Sequence, residues 1–484
     1  MKIAILGSGA TGYAGYLALS DQDVEVTVID FNFVDKTKVG ILPGMAAKNH
    51  KLAHQSTHIP SVFRVRSSLE NEISGSATFG GWSNIWGATI SPLTKNELNF
   101  WESDNQVLKE YQRIIREKLK FGNPDIDFNS IDNRSGLLSH IKLESNKAVH
   151  DVNIRLSDLA IAPVSSSHST GCIKCNNCLT GCPWNKIWSA NLGWEEFSDS
   201  GKLQYELDFW VESVLEESDK VEIRGERNGE IESLYFDKVF VALGVFQTAA
   251  LMLRSRIAQV VEIKDSAMFI VPFIRPFLRN TSPTRDGISL SSAFVNTTFS
   301  RGESLVSEND FFAQLYGYSE DLEEKISTRY RYFRMLPKSL RKSILSRIGI
   351  AMCFFDQTLS GTIVCNLETD GVVTFNPRPP NIKKSKLASM ARQQLARVKL
   401  FTLPCVGELL SPGLGFHSGA SFPPIFSEGN QQKNFTDEFG RPNQSQRIHL
   451  IDASVFPRIG SSPPTFNAMV NAYSISKATI DNGI

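Results

Sequence analysis

The chain opens on a short run, Lys2 to Leu6, that is apolar after its first residue. Such a run predicts a strand buried on both faces, as in parallel sheets. A helix is expected over Tyr13 to Ser20, and a second apolar run, Val24 to Ile29, predicts another buried strand ending in Asp30. Leu207 to Arg224 and Glu230 to Val241 alternate apolar and charged residues about a turn at Asn228-Gly229, the pattern of a β-meander. Val239 to Leu243, closed by Gly244 and followed by a helix over Thr248 to Leu253, predicts a second βα crossover of the same sheet. From residue 265 to 375 the runs become Phe-rich and Ser/Thr-rich; Ile288 to Phe299 and Gly361 to Phe375 predict an antiparallel sheet. Helices are also expected over residues 98 to 120, with a solvated surface, and over Ser385 to Lys399. A last strand ends at Asp452 and a last helix runs from Thr465 to about Ile480.

Between the first strand and helix lies Gly7-Ser8-Gly9-Ala10-Thr11-Gly12, a G-x-G-x-x-G. Gly7 lets the chain turn out of the strand, Gly9 lets backbone approach a pyrophosphate, and Gly12 lets the helix pack on the sheet. The helix N-terminus then directs free N–H groups and its positive dipole end at the phosphates. Asp30 stands where a carboxylate meets a ribose hydroxyl. Gly75 to Gly87 sets Gly80 and Gly81 beside Trp82 and Trp86, which suits backbone pressed against a flat ligand, or a glycine-rich loop with core aromatics.

At 484 residues the chain exceeds a single core, and we expect a nucleotide domain over residues 1–260, a substrate domain over 261–400, and a segment, 401–484, that completes the first. The 51 basic and 51 acidic residues balance, so there is no global polyanion-binding signal, which argues against a nucleic-acid partner. No apolar run reaches the length of a membrane span, and cleavage of the N-terminus as a signal peptide would destroy the glycine pattern, so a cytoplasmic protein is expected.

Four of the seven cysteines, Cys172, Cys175, Cys178 and Cys182, fall in a C-x2-C-x2-C-x3-C-P run within an insertion at 171–183. The spacing matches bacterial iron–sulfur runs, with zinc or a metal-free cysteine-lined turn as the alternatives. Residues 325–347 carry eight basic residues and no acid, with an apolar stripe interrupted at Pro337. That composition suits peripheral contact with an anionic membrane, or a solvated helix face. His417 lies among Gly413, Gly415 and Gly419, a poor packing site and a good one for ligand contact.

Taken together, the glycine motif with Asp30, the Gly80-Gly81 loop, the strand ending at Gly244 with Thr248, His417 before a glycine, and Asp452-Ala453-Ser454-Val455-Phe456-Pro457 with its closing helix resemble the glucose-methanol-choline (GMC) oxidoreductases. The cysteine run is similar to that of a subgroup with long-chain alcohol oxidases and some sugar dehydrogenases. The resemblance implies an α/β (α+β) fold: a Rossmann-like FAD-binding domain with a parallel sheet, interleaved with a substrate domain on an antiparallel sheet. It implies that Gly7, Gly9, Gly12, Gly244 and Thr465 border FAD and Asp30 its ribose. Gly81, Ser83 and Asn84 would lie by the flavin, a residue near Val214 by the adenine, and Asp452 with Ala453 by the ribityl and pyrophosphate. His417 would be the base in hydride transfer from an alcohol or sugar to flavin N5, with a quinone or carrier protein as electron acceptor. Two departures stand out: Pro463 occupies the place of the family's second His or Asn, and the glycine after His417 comes one residue early. His449 reads as a packed strand residue, and Asn467 or Asn471 as helix residues that either enter the site or pack. A flavin lyase or isomerase without net redox turnover, and a non-catalytic flavin-binding protein, remain as alternatives.

Overall fold

The computed structural model describes residues 1–31, 65–67, 75–93, 98, 101, 105–122, 152–163, 169, 171–175, 178, 182, 184–198, 201–274, 289–297, 311–317, 331–345, 347–402, 407–425, 434–443 and 445–483. In chain order the strands of the first half are β1 (Lys2–Leu6), β2 (Glu25–Ile29), β3 (Val65–Ser67), β4 (Val152–Leu156), β5 (Leu203–Glu206), β6 (Trp210–Glu216), β7 (Val221–Arg227), β8 (Glu230–Phe236) and β9 (Lys238–Val241). Those of the second half are β10 (Val260–Asp265), β11 (Met268–Ile274), β12 (Ala293–Thr297), β13 (Phe311–Tyr316), β14 (Ile348–Phe355), β15 (Thr362–Leu367), β16 (Val373–Arg378), β17 (Phe401–Thr402), β18 (Glu408–Leu409), β19 (Ser418–Gly419) and β20 (Ile448–Leu450).

The first sheet is parallel, with the order β20-β9-β1-β2-β5. β1 is buried from Ile3 onward, as its uniform apolar run requires, with β2 and β9 paired along its two edges. β20 carries the end of the chain back beside β9, so Leu450 pairs with Val241 across more than 200 residues of sequence. The first helix, Ala10–Leu19, lies close on the last, Thr465–Asp481. A Cβ on Gly15 would come 2.7 Å from Ile451 Cδ1 and 3.1 Å from Ser476 Oγ, so the approach depends on that glycine. The β6-β7-β8 meander turns at Asn228 (φ 53°) and Gly229 (φ 87°), the paired left-handed conformation of a tight hairpin.

A seven-stranded sheet has the order β17-β11-β14-β13-β12-β4, with β18 on β11, and all its pairings are antiparallel. One face, including Phe269, Val271, Phe273 and Phe355, packs against Leu387, Ala391 and Leu395 of the helix Lys384–Arg397. A third sheet runs β19-β10-β15-β16-β3. β10 and β11 are separated by Ser266 and Ala267, whose N–H groups go to His417 O (3.0 Å) and Ser360 Oγ (2.5 Å). That break moves the chain from one sheet to the next, so the Gly361 to Phe375 run pairs with β10 instead of joining the large sheet. The seven-stranded sheet also takes strands from outside residues 261–400: β4 comes from residues 152–156, and β17 and β18 from 401–409.

The helix Asn105–Leu119 departs from the solvated expectation: Leu108, Ile115 and Leu119 are buried, while Arg113 pairs with Glu110 and Glu117 on the outer face. Pro337 separates the short helix Arg331–Arg334 from Lys338–Leu345, as its missing N–H dictates. Among the described residues, no helix is long and apolar enough to cross a membrane.

Candidate functional site

The glycine motif divides into two packed positions and one open one. Gly7 has φ +99°, and a Cβ there would lie 2.6 Å from the Ala242 carbonyl of the neighbouring strand. A Cβ on Gly12 would collide with the Gly7 carbonyl oxygen. On Gly9 it would meet nothing within 4 Å. Gly9 is the N-cap of the first helix, with no side-chain cap and no acid in the first turn, so the leading N–H groups and the dipole favour an anion there. This cradle fits a pyrophosphate.

Around it the chain closes a polar relay. Asp30 Oδ2 accepts from Ser8 N (2.7 Å) and Ser8 Oγ (2.5 Å), and Ser8 Oγ accepts from Gly80 N (2.8 Å). Gly80 (φ +84°) and Gly81 (φ +58°) take conformations that other residues resist, and a Cβ on Gly81 would stand 3.4 Å from Gly9 Cα. The loop backbone therefore lies over the open glycine. Ser83 and Asn84, expected beside the flavin, are used inside the loop: Ser83 Oγ donates to Gly80 O (2.6 Å) and accepts from Ala190 N (2.8 Å), and Asn84 Nδ2 donates to Phe79 O (2.8 Å). The Val214 side chain is buried in the core, and its N–H donates to Ser255 Oγ (2.9 Å).

The C-terminal block is fastened to the second crossover. Asp452 is buried and accepts from Thr248 Oγ1 (2.5 Å) and Ser454 N (2.9 Å), and the Gly244 N–H also bonds it. Burial pushes its carboxyl pKa up, and these hydrogen bonds oppose the shift. Ala453 O accepts from Ala420 N (2.9 Å), which ties the block to the loop after His417. Thr465 starts the last helix, again with no side-chain cap.

His417 is buried beside that junction. Its ring stacks on Phe354, with centroids 4.1 Å apart, and its Nδ1 has no hydrogen-bond partner among the described residues. Burial alone pushes its pKa down to about 3, so the imidazole is neutral at physiological pH. An orphaned buried nitrogen is costly, and a bound ligand that donates to it would relieve the cost. Next to it, Phe416 is 61% exposed and meets Trp82 edge to face at 5.5 Å, linking the histidine loop to the loop over Gly9. His449 is a core residue in β20, stacked on Phe240 with Nδ1 against Phe439 O (2.8 Å); burial pushes it down to about 4. Pro463 is buried, and Asn467 is too: Nδ2 donates to Ser91 O (2.9 Å) while Oδ1 has no partner among the described residues. Asn467 borders a small cavity of about 20 Å³ with Trp101, Arg458 and Pro464, room for about one water.

Two acids here escape a reading of the sequence. Asp265 is buried, accepts from Ser418 Oγ (2.7 Å), and is pushed up to about 7 by burial. Asp356 is buried and forms a bidentate pair with Arg458, whose Nε lies 2.7 Å from Oδ2. Each joins residues more than 100 positions apart, and no local motif marks either.

The four cysteines border one apolar hollow with Ile161 and Trp184. As placed, they do not fit a metal centre: no group of three or more His, Cys, Asp or Glu among the described residues is arranged to hold an ion. Burial pushes Cys172 up and Cys178 to about 12, which holds both as neutral thiols.

No protein-family model matches the chain, and no curated protein matches it. Among solved structures it is similar to the crystal structure of pyridoxine 4-oxidase from Mesorbium loti, with a TM-score of 0.61 and 10% identity over 99% of each chain. At that identity the likeness establishes a shared two-domain α/β fold.

Proposed function

We propose that the chain is an FAD-dependent oxidoreductase of the GMC type that oxidises a CH–OH group of an alcohol or sugar-type substrate. The observation that carries the reading is the buried, neutral His417 with an orphaned Nδ1, joined through Phe416 and Trp82 to a loop lying over the pyrophosphate cradle. When bound, FAD supplies the hydride acceptor. Gly9 and the N–H groups of the first helix bind its phosphates, and the Gly80-Gly81 backbone covers them. His417 accepts the hydroxyl proton at Nδ1, and Phe354 fixes the ring plane and excludes water. The structural neighbour carries an oxidase name, so dioxygen stands beside a quinone or carrier protein as candidate acceptor. A reaction without net redox turnover is the second reading, favoured by buried Pro463, which has no proton acceptor.

Purified protein is expected to be yellow and to bleach under anaerobic incubation with a panel of alcohols and sugars. A colourless preparation that takes up no added FAD would refute the cofactor. Bound flavin that no donor bleaches would leave the second reading. Reoxidation rates with dioxygen and with a quinone analogue would then separate oxidase from dehydrogenase.

A further inference from the structure

One end of the seven-stranded sheet carries a surface that the flavin reading does not use. In the register of that sheet Ile274 at the end of β11 pairs with Ile348 at the start of β14 and with Phe401 of β17. The helices Arg331–Arg334 and Lys338–Leu345 lead directly into β14 at the same end, anchored by buried Leu345. On them Tyr332 is 86% exposed, Met335 77% and Leu340 46%, and Phe401 is 52% exposed. Arg334, Lys338 and Arg347, and Lys399 just before β17, are exposed as well. Arg341 donates to the carbonyls of Arg334 (3.0 Å) and Leu336 (2.9 Å), which closes the turn about Pro337 and fixes the two helices together.

Tyr332 and Met335 are the two most exposed large apolar side chains among the described residues, and they are flanked by cations with no acid from 325 to 347. Cations alone would suit any polyanion. Tyrosine, methionine, leucine and phenylalanine reaching into water beside them match the boundary between lipid headgroups and acyl chains, where long basic side chains reach the phosphates. Behind the patch the sheet is continuous with the site. Ile270, Pro272 and Ile274 on β11 and Ile348, Ile350 and Met352 on β14 form a half-buried apolar strip. It ends where Met268 pairs with Phe354, the residue stacked on His417, roughly 20 Å along the strand from Ile274.

We propose that this end of the sheet docks on the surface of an anionic lipid bilayer, with Tyr332, Met335, Leu340 and Phe401 entering the headgroup boundary and Arg334, Lys338, Arg347 and Lys399 meeting lipid phosphates. The docking does not depend on the flavin or on any activity.

Flotation of the full chain with vesicles tests it. The chain is expected to float with vesicles of phosphatidylglycerol and phosphatidylcholine in equal parts and to stay behind with phosphatidylcholine alone. Combined Tyr332→Ser, Met335→Ser and Leu340→Ser substitutions, all at exposed positions, are expected to lower partitioning about tenfold or more with an unchanged circular dichroism spectrum. Combined Lys338→Glu and Arg347→Glu substitutions are expected to lower it by a similar factor. Absent or equal flotation on the two vesicle types overturns the proposal. A serine variant that floats as well as wild type overturns it too, because the apolar side chains then contribute nothing to lipid binding.

Discussion

Ser8, Asp30 and Gly80 beside the glycine motif serve one another, whereas the buried Nδ1 of His417 has no partner among the described residues. Asp30, Ser8, Ser83, Asn84, Thr248 and Asp452 are held by short hydrogen bonds, and of the three motif glycines Gly9 is the open one. At the other end, His417 Nδ1, Asn467 Oδ1 and Ser421 Oγ are buried without a partner among the described residues. A satisfied cluster costs little and fixes geometry; orphaned atoms store free energy that a ligand releases on binding. The first region is thus a frame built to hold shape and the second is built to receive a group, and substitutions in the two should fail differently.

The largest effects belong to the frame. Gly12→Val drives a branched side chain into the Gly7 carbonyl, an overpacking cost of about 3 kcal/mol or more, and is expected to yield insoluble or unfolded protein. Gly9→Val points into open space, so the protein should fold with a circular dichroism spectrum like wild type and lose its flavin. Flavin retained by Gly9→Val, or stable folding of Gly12→Val, would remove the distinction between packed and open glycines. In the receptive region, His417→Ala should keep the yellow colour and slow flavin reduction by about 10²- to 10⁴-fold, measured by anaerobic stopped flow. Unchanged reduction would move the proton acceptor elsewhere.

The frame was also the legible part. Its signals are local: an apolar run, three glycines at fixed spacing and a terminal acid within thirty residues, each tied to a backbone need. The Asn228-Gly229 turn was legible for the same reason, since both residues take positive φ readily. The receptive region is assembled from distant pieces, and there a sequence offers residue types without partners. His417 stood out among its glycines, but Asp265, the Asp356–Arg458 pair and the cover from Phe354 depend on sheet pairings that periodicity cannot rank. The hydrogen bonds that Ser83 and Asn84 make within their own loop are likewise not legible from residue type alone.

Asp356 lies between the two regions in character. It is satisfied, like the frame, yet Arg458 opposite it borders the same cavity as Asn467. Asp356→Ala would remove the bidentate partner of the largely buried Arg458 guanidinium and the cap on Thr358 N, so a loss of about 3–5 kcal/mol is expected in urea unfolding. A loss below about 1 kcal/mol would mean that water replaces the carboxylate and that this wall of the site is loose.

The smallest effect, and the finest probe of the receptive region, is the pH dependence of stability. Asp265 is raised to about 7 from an unfolded value near ~4, so the native state binds the extra proton between those values. Its contribution is present in full below about 4 and is lost as pH rises through about 7. His417 is lowered to about 3 from ~6.5, so the unfolded state binds the extra proton, and its contribution is complete above about 6.5 and lost as pH falls toward 3. Between about 4 and 6.5 the two slopes oppose each other. Relative to wild type, Asp265→Asn should therefore make stability climb more steeply with pH across that window, and His417→Asn should make it fall. His449 is unchanged in both variants and cancels in the comparison. Urea midpoints at several pH values measure the difference. Parallel curves for wild type and both variants would show that water reaches these groups, which would erase the contrast between an occupied frame and a dry, waiting site.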